Sequence, residues 1–415
     1  MATLMRTALR GLAPLAAACP TCQLREFRST DVSAHAHPSS VCRRGRLARS
    51  ALGRAVAPNQ LRSGAARTDV FEFSKLLPNV VRDLTETGRH LDVPEATKRL
   101  AKILQYNVTG GKKNRGLGVV TSYRMLAREE ELTAENIELA YILGWCLEML
   151  HGSLLMTQDA LDRAETRRGK PCWYLTSQTS PLVAVNDANL LVSAIYQLLK
   201  SHLARHPGYV YMVELFQDVC HKATMGQVLD IQTRADKSLQ QFTMERYKAI
   251  TKYKTVYHTF QMPVSLALYM AGIYDMELHR QAKTILMEMG QFYQAMADYM
   301  NCYEAGDEGF GARSGSDISD GKCTWLSVLA LQRASPAQLG LLQECYGQKE
   351  PQKVDQVRDL YDELGLPVTY RQYEEHTYDL LCTQIQQVSK GLPHKLFFKM
   401  LDNVYVKNVP PQDLQ

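Results

Sequence analysis

The chain has 415 residues, 45% of them hydrophobic and 22% charged, with a formal net charge of +5. These are ordinary values for a globular protein with a sizeable core. Eleven arginines precede Thr68 against only Glu26 and Asp31, which puts that segment near +9 and the remainder near −4; a mildly acidic body lacks the basic face that nucleic-acid binding requires.

From the N-terminus, residues 1–68 are rich in Arg, Ala and Ser and poor in acids. That is the composition of a mitochondrial transit peptide. Met1–Ala18 can form a helix with Leu4, Leu9 and Leu12 near one side and Arg6 and Arg10 displaced from them. A secretory signal fits less well, because the arginines continue far beyond any cleavage site. A basic extension left in the cytoplasm is the remaining alternative. The folded domain is expected over residues 69–415. No run of about 18 uninterrupted apolar residues marks a membrane span. Three of the ten cysteines (Cys19, Cys22, Cys42) fall in the leader, and the other seven lack metal-ligand spacing.

From Asp69 onward, apolar residues recur at spacings of three and four, as in Ile137, Ala140, Tyr141, Leu143, Gly144, Leu147 and Leu150. Similar windows run from Leu139 to Met156, Leu190 to Leu203, Tyr211 to Leu229, and Ala282 to Met300. Alternating β-branched runs are missing, so strands are not expected. The pattern predicts one all-α bundle of roughly ten or more helices. Several are apolar around most of their circumference and therefore central.

Four segments carry charge where packing alone would not ask for it. Gly110-Gly111-Lys112-Lys113-Asn114-Arg115-Gly116 offers close backbone approach and two cations three apart, able to clasp a diphosphate or simply to form a basic turn. Gln158-Asp159-Ala160-Leu161-Asp162 closes an apolar helix just before Arg167 and Arg168; it reads as a Mg–diphosphate site or as a salt-bridged helix terminus. Met225–Asp230, with Lys254 and Thr255 further on, places polar groups on apolar helices, either toward a ligand or as satisfied core residues. Gln294–Asn301 carries a lone acid, Asp298, that would serve equally as a helix cap.

The order of these pieces resembles the trans-isoprenyl diphosphate synthases, and within them the farnesyl diphosphate synthase family. The resemblance runs from about residue 95 to 405 and rests on GGKKNRG, LDRAETRRGKPCWYL, MGQVLDIQT and SDISDGKCTWLSVLALQRASPAQ, with Tyr346–Lys349 and Gln372–Glu375 adding to it. It implies an isoprenoid synthase-type helical bundle around a central apolar cavity. It also implies a prenyltransferase that condenses isopentenyl diphosphate with dimethylallyl or geranyl diphosphate, using Mg²⁺ (Mn²⁺ as a substitute), in a homodimer or a heterodimer with a paralogue. Matched residue by residue, Lys112, Arg115 and Arg168 would clasp isopentenyl diphosphate. His151 stands where the family has a glutamine. Arg167 and Lys254 would hold the allylic diphosphate, with Arg313 replacing a loop lysine and Gln227 keeping its usual identity. Lys254, Thr255 and Gln294 would be the catalytic group near the reacting carbons.

The same resemblance exposes departures. Two DDxxD motifs hold three Mg²⁺ in the family; here they read QDALD and ADYMN, with Gln158, Ala297 and Asn301 in place of aspartates. Asp159, Asp162 and Asp298 are the metal ligands left, and hard Mg²⁺ accepts amide or methyl groups poorly. Ser153 and Leu154 occupy the positions of the aromatic floor that limits chain growth, so a deeper pocket is expected. The basic C-terminal tail is reduced to Lys407. Two alternatives stay open on these residues: a terpene synthase ionising a prenyl diphosphate, or a weakly active partner subunit of an active paralogue.

Overall fold

The computed structural model describes residues 58–89, 92–176, 179–236, 238–303, 316–388 and 391–405. Arg313, Lys407 and the leader up to residue 57 lie outside them. Along the chain run α1 (Pro58–Arg89), α2 (Pro94–Ile103), α3 (Asn114–Leu126), α4 (Ala134–Asp162), α5 (Pro181–Leu203), α6 (Tyr209–Ala235), α7 (Met244–Thr251), α8 (Met262–Met270) and α9 (Met276–Tyr303). They are followed by α10 (Ser316–Ser319), α11 (Trp325–Arg333), α12 (Pro336–Cys345), α13 (Pro351–Glu363), α14 (Leu366–Gln386) and α15 (His394–Tyr405). The all-α expectation holds. The first helix begins at Pro58, upstream of the 68/69 boundary drawn from composition.

Polar caps set several of the helix starts. Thr133 accepts the Asn136 N–H at the head of α4, Ser180 the Val183 N–H of α5, and Thr243 the Arg246 N–H of α7. Each satisfies a donor that the first turn leaves orphaned. Thr324–Ser327 and Ser335–Gln338 close reciprocal capping boxes on α11 and α12. One sheet occurs among the described residues, a hairpin pairing Thr166 with Pro171 and Arg167 with Lys170. Two residues per strand are too few to leave an alternating signature in the sequence.

Two apolar clusters hold the bundle. One joins α1–α6 and α8 through side chains such as Phe73, Trp145, Leu147 and Phe216; the other joins α9 to α11–α15 through Phe292, Val357, Leu381 and Phe397. Each such burial is worth about 1.5–3 kcal/mol. α4 and α5 are long and apolar enough to cross a membrane by length and composition alone. In α4, 78% of that stretch is buried inside the fold, as befits a central helix; in α5 the figure is 44%, so an apolar flank stays uncovered.

Between α7 and α8 the helix widens into a π-wound stretch, Lys252–Gln261, that carries Lys254, Thr255 and His258. Such widenings recur at functional sites because they rotate side chains out of α-helical phase. Gly226 of α6 makes the close crossing possible: a Cβ there would lie 2.3 Å from the Lys254 backbone nitrogen.

Candidate functional site

The cations come first. Lys112, Arg115, Arg167, Arg168 and Lys254 all line one cavity of about 940 Å³, toward the top of the roughly 300–1,000 Å³ usual for small-molecule sites. Gly111 has φ +86°, and a Cβ on it would lie 2.7 Å from the Arg168 Cζ, so this glycine makes room for the guanidinium. Arg168 Nη1 donates to the Gly110 carbonyl at 2.6 Å. Arg168 and Gly169 form the hairpin turn with φ of +53° and +71°, the positive pair that a tight two-residue turn requires. Arg115 Nη2 donates to Thr259 Oγ1 at 2.9 Å.

Sequence reasoning missed Lys113. Its φ is +53°, it is buried, and its Nζ also donates to the Gly110 carbonyl while lying 5.9 Å from the centroid of the Trp145 ring. Burial pushes this ammonium down to about 8, opposed by buried Glu148 and assisted by Arg168. Glu148 accepts the Gly116 N–H at 2.9 Å and so fixes the turn from below.

The acids are the second group, and each is already engaged. Asp159 is buried and paired with Arg167, whose Nε lies 3.0 Å from Oδ1. Asp162 accepts Arg234 Nη2 at 2.8 Å, and Gln158 Nε2 reaches it at 3.3 Å. Asp230 takes Lys254 at 2.7 Å and Arg234 at 3.3 Å. Asp298 accepts Gln294 Nε2 at 2.8 Å and, through Oδ2, the Trp325 N–H at the start of α11 at 2.9 Å. Burial first, and Asp317 second, push its carboxyl up to about 7. The segment that reads as a salt-bridged helix terminus is one, and Asp298 caps a helix as its alternative reading allowed.

Asp162 and Asp298 face a second cavity of about 530 Å³, which shares Gln158, Arg167, Lys254, Thr255, Gln294 and Ala297 with the first. Asn301 has a structural task there: Oδ1 accepts the Asp317 N–H at 3.0 Å and Nδ2 donates to Ser316 Oγ at 2.9 Å, which pins the start of α10. Lys322 sits between Asp317 and Asp320, at 2.8 and 3.4 Å. Among the described residues no cluster of three or more His, Cys, Asp or Glu side chains could hold a metal. The surviving donors are spent on arginine, lysine and backbone N–H groups, so they do not fit the three-ion cluster that the resemblance implies.

The large cavity also holds polar atoms with nothing to bind. His151 Nδ1, His258 Nδ1 and Gln227 Nε2 are shut off from solvent and have no hydrogen-bond partner among the described residues. Ser153 is buried in the same wall with its hydroxyl turned back to the Leu150 carbonyl at 2.8 Å, and half-buried Leu154 lies beside it. The two expected floor positions therefore border the cavity, with no aromatic ring at either.

Known proteins supply the comparison. The family described as polyprenyl synthetase matches residues 97–364. The chain is 45% identical over 397 residues to a farnesyl pyrophosphate synthase of Murgantia histrionica, covering 96% of this chain and 94% of the relative. It is 40% identical over 360 residues to the Homo sapiens farnesyl pyrophosphate synthase, covering 85% of each. Among solved structures, T. brucei farnesyl diphosphate synthase complexed with risedronate aligns with a TM-score of 0.73 at 28% identity, covering 83% of this chain and 99% of that one.

Proposed function

We propose how this chain works from one premise: it belongs to the polyprenyl synthetase family, and it is a farnesyl diphosphate synthase-type prenyltransferase condensing isopentenyl diphosphate with allylic diphosphates. Lys112, Arg115 and Arg168 hold the isopentenyl diphosphate, and Arg167 and Lys254 hold the allylic one. When the allylic C–O bond breaks, its electron pair goes to the diphosphate, where fixed cations stabilise the growing charge without reorganising. Thr255 and Gln294 lie in the wall shared by the two cavities, where the reacting carbons would meet. The apolar depth of the large cavity keeps water from the allylic cation.

The observation that carries this reading is the convergence of both cation sets on one cavity, with Arg168 seated over Gly111 and Arg167 on Asp159. A cyclising lyase would have no use for the first set. The test is product analysis with geranyl diphosphate, with and without isopentenyl diphosphate. A longer diphosphate formed only when both are present supports condensation; hydrocarbons formed from geranyl diphosphate alone refute it.

The family uses a divalent metal. In this chain the leaving group is met to a larger extent by Arg167, Lys254 and Lys322 in the cavity walls, because three carboxylates are missing and the others are paired. Calorimetry of inorganic pyrophosphate binding with Mg²⁺ and with a chelator tests this, and binding abolished by the chelator refutes it. Residues 1–68 direct the chain to mitochondria, which import of a fluorescent fusion would check. Two copies associate through apolar side chains left exposed on α5 and α6, such as Leu182, Val210, Met225 and Val228; a monomeric sedimentation coefficient would count against this.

A further inference from the structure

We infer that Asp187 is a positioning residue that pins the two diphosphate clasps to each other, so that the affinities for both substrates rise and fall together; the inference rests on the prenyl-transfer reading above. Arg167 and Arg168, one for each diphosphate, are neighbours on the hairpin of residues 166–171. Two residues per strand and a two-residue turn cannot hold their own shape in water. The hairpin therefore takes its place from what grips it.

Three hydrogen-bonded ties among the described residues join it to the segment that carries the first clasp. At its base, Tyr106 Oη donates to the Pro171 carbonyl at 2.8 Å, and the Tyr106 ring lies 5.2 Å from that of Trp173 with the planes tilted by 52°. At its tip, Arg168 Nη1 donates to the Gly110 carbonyl at 2.6 Å. The third tie runs through Asp187 of α5. Its Oδ2 accepts Trp173 Nε1 at 2.8 Å, and its two oxygens accept Nε and Nη2 of Arg99, on α2, each at 2.6 Å. Arg99, Tyr106 and Gly110 precede Lys112 and Arg115 on one continuous stretch, made of α2, the π-wound turn Leu104–Val108 and the glycine loop.

Asp187 is fully buried. A carboxylate out of water is tolerated only when its charge is paired and its lone pairs are occupied. The two-pronged Arg99 contact supplies the charge and already joins α2 to α5. The bond to the indole adds nothing to that union; it reaches toward the hairpin instead. Trp173 lies two residues beyond Pro171, and Tyr106 packs on its ring, so the indole that Asp187 holds sets where the Tyr106 hydroxyl meets the hairpin. Releasing it lets the hairpin rock at its base. Arg167 and Arg168 then shift alike, and each loses its aim on a different diphosphate. Asp187 touches neither substrate and acts through Trp173.

The test is steady-state kinetics on Trp173→Phe, which keeps a ring and removes only the N–H, on Tyr106→Phe, which removes the hydroxyl, and on Asp187→Asn. In each, KM for isopentenyl diphosphate and KM for geranyl diphosphate should rise by a common factor, roughly threefold to tenfold, the range of one hydrogen bond. In an Arg168→Ala background, Trp173→Phe should still raise KM for geranyl diphosphate but no longer that for isopentenyl diphosphate, because the residue it misplaces is gone. Asp83→Asn is the control for stability alone: it weakens a contact of 3.1 Å with His202, also on α5, and should lower the melting temperature with both KM values unchanged. A rise in one KM only, or a lower melting temperature with neither KM moved, overturns the inference. Should Asp187→Asn fail to fold, Trp173→Phe and Tyr106→Phe carry the same test. A parent that forms no longer diphosphate sinks the functional reading and this inference together, whereas an active parent whose variants keep both KM values sinks only this inference.

Discussion

Replacing Gly111 by alanine tests how the first clasp is built. The backbone there has φ +86°, and the new Cβ would lie 2.7, 2.8 and 2.9 Å from Arg168 Cζ, Nη2 and Nε. Two costs follow. Left-handed backbone with a side chain costs about 1–2 kcal/mol of stability. Separately, the guanidinium must move off the Gly110 carbonyl, which loses a charge-assisted hydrogen bond worth about 1.5–3 kcal/mol when sheltered. Arg168 is exposed, so solvent screening pulls that stability cost to its low end, about 1.5 kcal/mol, and the displaced guanidinium no longer points where the clasp needs it. Gly169→Ala is the control: its φ is +71°, yet nothing lies within 4 Å of the added Cβ. Both variants should lose thermal stability through the left-handed backbone, and Gly111→Ala should lose more, by the hydrogen bond it breaks. Only Gly111→Ala should raise KM for isopentenyl diphosphate, by about tenfold, measured at saturating geranyl diphosphate with little change in kcat. Equal KM values for the two variants, or no rise in either, would refute the seating of Arg168 by this glycine.

Three further perturbations follow from the same geometry. Lys113 loses its charge as pH rises through about 8, so KM for isopentenyl diphosphate should stay flat below that pH and climb above it; Lys113→Gln should start higher and lose the climb, as initial rates at several pH values would show. Asn301→Asp alone removes the Nδ2 donation to Ser316 and should lower thermal stability by about 1 kcal/mol, whereas Gln158→Asp, Ala297→Asp and Asn301→Asp together should tighten Mg²⁺ binding measured by calorimetry. Ser153→Phe should fill the end of the cavity and shorten the prenyl product by one five-carbon unit, read by chromatography of the dephosphorylated alcohols.

The helices and the clasp were legible because their signals are local. Apolar spacing marks α4 and α9 whatever lies beside them, and Gly110–Gly116 builds its turn from its own residues. Lys113 was not legible, since adjacent lysines look alike until the φ of +53° turns one of them inward over Trp145. His258 was hidden for another reason. It follows Lys254 by four residues in the π-wound stretch and lines the same cavity, but the chain separation of 107 residues gives no sign that its ring meets His151.

The altered acidic motifs show the deepest gap between sequence and fold. On sequence alone, Asn301 counts only as a carboxylate lost. In the folded chain its amide uses both ends, accepting from the Asp317 backbone and donating to Ser316, where a carboxylate could only accept the serine hydroxyl. Asp298 tells the same story from the other side, since it keeps the acid yet spends one oxygen on the α11 backbone and the other on Gln294. Metal affinity is therefore governed here by what the surviving donors already hold, and counting aspartates measures only what a neighbouring arginine, lysine or helix end has left over.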